Sequence, residues 1–251
     1  MKIAVAGGTG VAGRRVVEAL IAAAHEPVVL ARSTGVDVLT GAGLDAALAG
    51  VDAVVDATNK MTTSRRTAVK FFETAGRNLT AAASRAGVGH FVTLSIVGID
   101  RVDYGYYEGK LVQEKIVRES GLPYTILRAT QFHEFADQVL KLTPGPVAFI
   151  PRMQSRTVAV SEVGQALAEI ATSSPQRMVE IAGPQVESML DLARRLVKAR
   201  GAHRVVLPLW MPGSGAKAMA SGGLLPTDPN SRRGRIGFDE WLATVGAPSA
   251  P

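Results

Sequence analysis

A doubly wound, parallel α/β sheet is the fold this sequence predicts, and three observations predict it. An apolar run at residues 2–6 leads straight into GGTGVAG, whose Gly7, Gly10 and Gly13 have the spacing that a tight turn and a close backbone approach to a helix require. Short β-type runs then alternate with longer helical patterns through the first half of the chain. At 251 residues and 47% hydrophobic, the chain is long enough to bury one sizeable core.

The elements follow in order. Lys2 to Ala6 reads as the first strand. In the loop after it, a side chain at Gly7 would obstruct the turn. One at Gly10 would hold the backbone away from a pyrophosphate, and one at Gly13 would wedge the helix off the sheet. Val16, Val17, Leu20 and Ile21 recur at helical spacing and predict a helix over 13–24. Further strands are expected at 27–31, 53–57, 90–95 and 124–128, with a short piece at 36–38, and further helices at 42–49, 64–87 and 105–120. The last of these ends in SGLP, where Gly121 can take a left-handed cap and Pro123 forbids continuation. Parallel strands joined by helices require right-handed crossovers.

The texture changes after Phe135. TPGP at 143–146 marks a loop, 158–172 is helical in part, 186–201 is an amphipathic helix, and GRIGFDEWL closes with a short helix that carries Trp241 inward. The expected division is a Rossmann-type dinucleotide-binding core over residues 1–135. A small C-terminal substrate lobe, residues 136–251, packs as one unit with it over the strand ends.

Composition narrows the chemistry. With no cysteine, disulfides, thiolate ligands and thiol nucleophiles are excluded. His25, His90, His133 and His203 show no ligand spacing, so no metal is expected. The first apolar stretch is short and has Arg14 and Arg15 on its wrong side for a signal peptide, and no run approaches a membrane span; a soluble, cytoplasmic protein is expected. The net charge of +6 comes without a nucleic-acid-binding motif and suits an anionic cofactor instead.

That cofactor is expected to rest its phosphates on amides at the start of the first helix, which lack partners and sit at the positive end of the macrodipole. Thr9 and Val11 belong to the same loop. A cofactor with free ribose hydroxyls normally meets an Asp or Glu about 20 residues on, at the end of the second strand. Here that place reads Ala31, Arg32, Ser33. A guanidinium forks onto a phosphate bidentately, so the expectation is NADP(H), with Arg14 in support.

Tyr106 and Lys110 lie four apart on a predicted helix, which puts their Cβ atoms roughly 6 Å apart on one face. Ser95 ends the strand FVTLS. A nearby ammonium favours the phenolate and lowers a tyrosine pKa from its free value of about 10. Tyr106 then serves as general acid or base, Lys110 lowers its pKa and holds the nicotinamide ribose, and Ser95 binds the substrate oxygen. Tyr107 is within one turn of Lys110 and competes with Tyr106 for the role.

GGTGVAG, Arg32, LSIVG with Ser95, YYEGK and GLPYTILRATQFHEF together resemble the atypical short-chain dehydrogenase/reductases, in the branch of NmrA-like NAD(P)-binding proteins. The resemblance covers nearly the whole chain. It implies adenine contacts at Asp37 and Val38, contacts to the middle of the cofactor at Ala57, Thr58 and Asn59, and passage of the nicotinamide along Ala129, Thr130, Gln131 and Phe132, with Ala129 where members usually carry proline. Ser95 precedes Tyr106 by 11 residues, slightly less than in typical members. Related regulators often lack the tyrosine and keep the lysine, whereas this chain retains both.

Ile96, Val97, His133, Trp210 and Met211 are candidates for an apolar substrate pocket. The leading expectation is an NADPH-dependent reductase, or the reverse dehydrogenase, acting on a small apolar carbonyl or enone. Two readings compete with it: an NADP(H) sensor without chemistry, and a quinone or flavin reductase in which hydride passes directly.

Overall fold

The computed structural model describes residues 1–245. In chain order the elements are β1 (Lys2–Ala6), α1 (Val11–Ala22), β2 (Glu26–Leu30), α2 (Leu44–Leu48), β3 (Ala53–Asp56), α3 (Arg65–Arg85), β4 (His90–Ile96), α4 (Gly105–Glu119) and β5 (Tyr124–Ala129). There follow α5 (Phe135–Leu142), β6 (Val147–Pro151), β7 (Gln154–Ser155), α6 (Val160–Ala171), β8 (Arg177–Ala182) and β9 (Glu187–Ser188). The chain continues through α7 (Met189–Ala199), β10 (Val205–Leu209), α8 (Ser214–Ala220), β11 (Arg232–Arg233) and α9 (Phe238–Val245).

A seven-stranded sheet runs in the order β11-β8-β5-β4-β3-β1-β2. The pairings of β1 with β2 and β3, of β3 with β4 and of β8 with β11 are parallel. With β1 between β3 and β2, the chain leaves the carboxyl end of β1 where strand order reverses, which is where open α/β sheets take ligands.

The chain divides into two compact units. The first comprises residues 1–99, 104–128 and 160–179, and the second residues 100–103, 129–159 and 180 onward. Residues 129–159 belong to the second unit, and the helix α6 returns to the first. An interruption of this kind carries no composition signal, because α6 is an amphipathic helix like any other.

Buried apolar side chains from both sheet and helices form the core of the first unit. Ala4, Leu30, Val54, Phe91 and Ile126 of the strands meet Leu44, Leu48, Leu79, Ala83 and Val117 of the helices. Glycine sets the helix spacing. A Cβ at Gly109 would lie 2.7 Å from the Ala68 carbonyl carbon, and one at Gly105 would lie 2.9 Å from the Arg65 nitrogen, so α4 packs on α3 backbone to backbone. A Cβ at Gly164 of α6 would likewise lie 2.5 Å from the Arg15 Cβ of α1.

The piece expected as a strand at 36–38 is a turn. Gly35 and Gly41 both take positive φ, and the Asp37 carboxylate accepts the Leu39 N–H at 2.8 Å, so local side-chain hydrogen bonding replaces a ladder. The second strand stops one residue early because Ala31 opens a 3₁₀ turn over Arg32–Thr34. In the second unit, Trp241 is half buried against His133 and Phe238, as its apolar ring predicts.

Gly109→Ala is expected to cost about 1–3 kcal/mol, the range for overpacking a close contact, because the clash is with backbone that cannot rotate aside. The measurement is the denaturant midpoint. An unchanged midpoint would mean that α3 and α4 tolerate a methyl between them.

Candidate functional site

The first unit gathers the candidate site at the carboxyl ends of β1, β3 and β4. Gly7 follows β1 with φ +73, in the left-handed region, and a Cβ there would lie 2.9 Å from the Ala57 oxygen and 3.1 Å from the Thr58 Cα. The glycine loop thus abuts the segment that leaves β3. A Cβ on Gly10 would lie 3.1 Å from the Gly7 oxygen, and one on Gly13 only 2.1 Å from it. The sequence places that last conflict between helix and sheet, whereas the structure places it between α1 and the loop itself.

Helix α1 opens at Gly10 with extended backbone, no side-chain cap and no acidic residue in its first turn. Its leading amides are left for an anion, and nothing negative from the chain competes for them. Thr9 and Val11 are exposed on the same loop. Arg14, in that first turn, and Arg32, just beyond β2, are both exposed and have no ion-pair or hydrogen-bond partner among the described residues. The neighbouring Arg15, by contrast, is paired with Glu18 at 2.7 Å. Ser33 is exposed beside Arg32, and Asp37 and Val38 are half buried in the turn that follows.

Across the loop, Ala57 and Thr58 are buried and Asn59 is exposed. The Asn59 side-chain oxygen accepts the Tyr106 hydroxyl at 2.8 Å. Tyr106 and Lys110 both lie on α4, as the spacing predicts, yet their polar ends take different partners. The Lys110 ammonium donates to the Leu94 carbonyl at 2.6 Å and to Gln113 Oε1 at 2.5 Å, and sits 4.8 Å from the centroid of the Phe72 ring.

This geometry reverses the electrostatics expected from the sequence. Burial pushes the Tyr106 phenol up from its ordinary value, helped by Tyr104, and burial pushes Tyr107 up in the same direction. Burial also lowers the Lys110 ammonium to about 8, against the opposing pull of Asp56 and Glu114. Tyr106 is half buried with its hydroxyl on Asn59, whereas Tyr107 is 7% exposed and packs against Tyr104 and Tyr106. Of the two, Tyr106 is the one whose hydroxyl reaches the 57–59 segment.

Ser95 has a different partner from the expected substrate oxygen. It is buried and donates to Glu114 Oε1 at 2.6 Å. Glu114 also accepts both Arg128 Nε and a terminal Arg128 nitrogen at 2.9 Å, and Arg118 at 2.6 Å. Burial opposes the charge on Glu114, but the hydrogen bonds from Arg128 and Ser95 and the two guanidinium charges outweigh it and hold the carboxyl below its ordinary value. Ser95 is thereby part of this network. Val97 is fully buried in the core and cannot line a pocket, while Ile96 is half buried.

The remaining candidates lie in the second unit. Ala129 is buried, and the Thr130 hydroxyl donates to the Arg156 carbonyl at 2.6 Å. Gln131 accepts the Ser155 hydroxyl at 2.9 Å, and its buried amide nitrogen has no hydrogen-bond partner among the described residues. Phe132 is half buried beside Val158.

His133 is fully buried rather than available to a substrate. One ring nitrogen faces the Ile236 carbonyl at 3.1 Å, which can only accept, so Nε2 carries the proton and Nδ1 accepts the Thr157 hydroxyl at 2.9 Å. Burial lowers its pKa, in keeping with a neutral ring packed on Phe238 and Trp241. Trp210 is 74% exposed with Arg152 stacked 4.1 Å from its ring centroid, and with Met211 it borders a cavity of about 90 Å³. A groove of about 530 Å³ between α1 and α6 contains none of the candidate residues.

Two side chains that the sequence reading passed over complete the site. Asp56, the last residue of β3, is fully buried and accepts the Thr58 N–H at 3.0 Å and the Thr58 hydroxyl at 2.6 Å. Gln113 donates to the other Asp56 oxygen at 2.6 Å. The signal for Gln113 was its position three residues after Lys110, on the same helical face. Among the described residues there is no cluster of potential metal ligands.

Known proteins are similar to this chain. Residues 7–174 match the NAD(P)H-binding family. A (4-alkanoyl-5-oxo-2,5-dihydrofuran-3-yl)methyl phosphate reductase from Streptomyces griseus is 30% identical over 227 residues, 79% of this chain and 74% of that protein. Among solved structures, a Citrobacter sp. triphenylmethane reductase complexed with NADP(H) matches with a TM-score of 0.70 and 19% identity, over 100% of this chain and 97% of the other. The Escherichia coli NADPH-dependent quinone oxidoreductase QOR2, complexed with NADPH, matches with a TM-score of 0.68 and 20% identity, over 99% and 96%. With its glycine loop, its parallel sheet and a match that spans most of its length, the chain belongs to the NAD(P)H-binding family, in the NmrA-like branch of the atypical short-chain dehydrogenase/reductases.

Proposed function

We propose that this enzyme is an NADP(H)-dependent reductase of a small apolar carbonyl or enone. The observation that carries the choice of NADP(H) is the pair of unpartnered guanidiniums, Arg14 and Arg32, flanking a glycine loop that a single Cβ would obstruct. In this reading the loop Gly7, Thr9, Gly10, Val11 and Gly13 receives the pyrophosphate, while Arg14, Arg32 and Ser33 receive the 2′-phosphate. Asp37 and Val38 border the adenine, and Ala57, Thr58 and Asn59 follow the middle of the cofactor. Ala129, Thr130, Gln131 and Phe132 accompany the nicotinamide.

Bound there, the dinucleotide supplies a hydride. The chain's own contribution is a proton and an orientation. A phenol whose pKa is raised by burial keeps its proton at neutral pH, so Tyr106 enters the reaction protonated and, in this reading, donates to a developing alkoxide or enolate as a weaker acid than a free tyrosine. That favours the reductive direction. Lys110 has an ammonium with three N–H groups, two of them committed to Leu94 and Gln113, and in this reading the third serves the ribose. The enone is supported by the Streptomyces relative, whose named dihydrofuran bears a ring carbon–carbon double bond conjugated with carbonyl groups.

A second reading, direct hydride transfer to a quinone or flavin with no protein acid, is favoured by one observation. The Tyr106 hydroxyl already donates to Asn59, while the Lys110 ammonium is hydrogen-bonded to Leu94 and Gln113.

Two substitutions test these assignments. Arg32→Ala is expected to weaken NADPH binding about 10-fold or more, the worth of a charge-assisted hydrogen bond, and to leave NADH unchanged in calorimetry. An equal loss for both coenzymes would remove Arg32 from the 2′-phosphate. Tyr106→Phe is expected to lower turnover of an enone about 100-fold or more at unaltered NADPH affinity, as removal of a general acid does. Full turnover in that variant would assign the direct-transfer mechanism instead.

A further inference from the structure

Asp56, Gln113 and Lys110 form a continuous buried chain of hydrogen bonds, and the chemistry of its two ends determines the orientation of its middle. The Lys110 ammonium can only donate, so it must face Gln113 Oε1. A carboxylate accepts, so Asp56 must face Gln113 Nε2. All three side chains are at most 4% exposed. No cation is in direct contact with Asp56 among the hydrogen bonds and ion pairs described; its other donors are the Thr58 N–H and hydroxyl. A carboxylate and an ammonium that do not touch are thus joined through one amide.

We propose that Gln113 is a positioning residue that links Asp56 to Lys110 and fixes the direction of the lysine's remaining N–H. The chain of contacts runs further. Thr58, which holds Asp56, has its Cα against the position a Cβ on Gly7 would occupy, at 3.1 Å, so the glycine loop, the 57–59 segment and Lys110 are mechanically connected. An apolar side chain at 113 would leave the buried Asp56 one donor short and the Lys110 ammonium one acceptor short. The consequence for coenzyme binding rests on the ribose role given to Lys110 above, but the relay itself does not.

The charged and titratable groups around Lys110 are few. Asp56 at the end of β3 and Glu114 on α4 both favour its protonation, the latter with its own charge shared among Arg118, Arg128 and the Ser95 hydroxyl. The Phe72 ring on α3 adds a face that favours a cation. Removing the amide takes away one acceptor and one path to Asp56 while leaving Glu114 and Phe72 in place. Lys110 should then lose its proton at lower pH.

The test is a titration of the Lys110 Cε resonance in 13C-lysine-labelled protein without added dinucleotide, with the signal assigned by its absence in Lys110→Met. Gln113→Leu is expected to lower the midpoint by about one pH unit, the scale of a lost charge-assisted hydrogen bond. Asp56→Asn should shift it in the same direction, and Gln113→Glu should raise it. These two variants decide the matter should Gln113→Leu fail to fold. A lower melting temperature with an unmoved midpoint would make Gln113 a packing residue only and overturn the proposal. Variants that show this pattern, together with a wild-type protein that binds no NADPH, would sink the coenzyme reading and leave the relay standing.

Discussion

The approach of the Gly7–Gly13 loop to the carboxyl end of β3 is the constraint on which the site depends. Backbone meets backbone there, with the Gly7 position 2.9 Å from the Ala57 oxygen and the Gly13 position 2.1 Å from the Gly7 oxygen when a Cβ is added. Any side chain would push α1 away from the strand that feeds it. The uncapped amides of α1 and the 57–59 segment would then no longer be neighbours. The shape of this loop is therefore made less by contacts than by missing atoms.

The same device recurs in the supporting layer. Gly105 and Gly109 bring α4 onto α3, and α4 carries both Tyr106 and Lys110. A helix held at ordinary side-chain distance would stand farther from Phe72 and from the strand ends. The close packing also explains why Lys110 is buried and its ammonium destabilised. The residues that offset this cost, Leu94, Gln113 and Phe72, come from a strand and two helices.

Two buried carboxylates lie near this lysine and are satisfied differently. Glu114 is an ordinary buried ion pair, forked by Arg128 and reinforced by Arg118. Asp56 instead has hydroxyl, amide and backbone donors and no cation of its own among the contacts described. The first arrangement anchors α4 to β5. The second keeps a negative charge one amide away from Lys110, close enough to influence it and too far to neutralise it in a direct pair.

Local chemistry was enough for the sequence to determine the doubly wound sheet, the glycine loop, the end of α4 at SGLP and the pairing of Tyr106 with Lys110 on one helical face. Each rests on backbone conformation or on a period of 3.6 or 2, which neighbouring residues settle among themselves. Tertiary structure decided where the polar ends point. Ser95 went to Glu114, 19 residues away, and His133 to Thr157 and Ile236. Lys110 found a carbonyl on β4, and Asp56, which local spacing does not single out, joined Lys110 through Gln113. Spacing places two side chains on a face, but the direction of a hydrogen bond depends on which donors and acceptors folding buries beside it, and those come from distant parts of the chain.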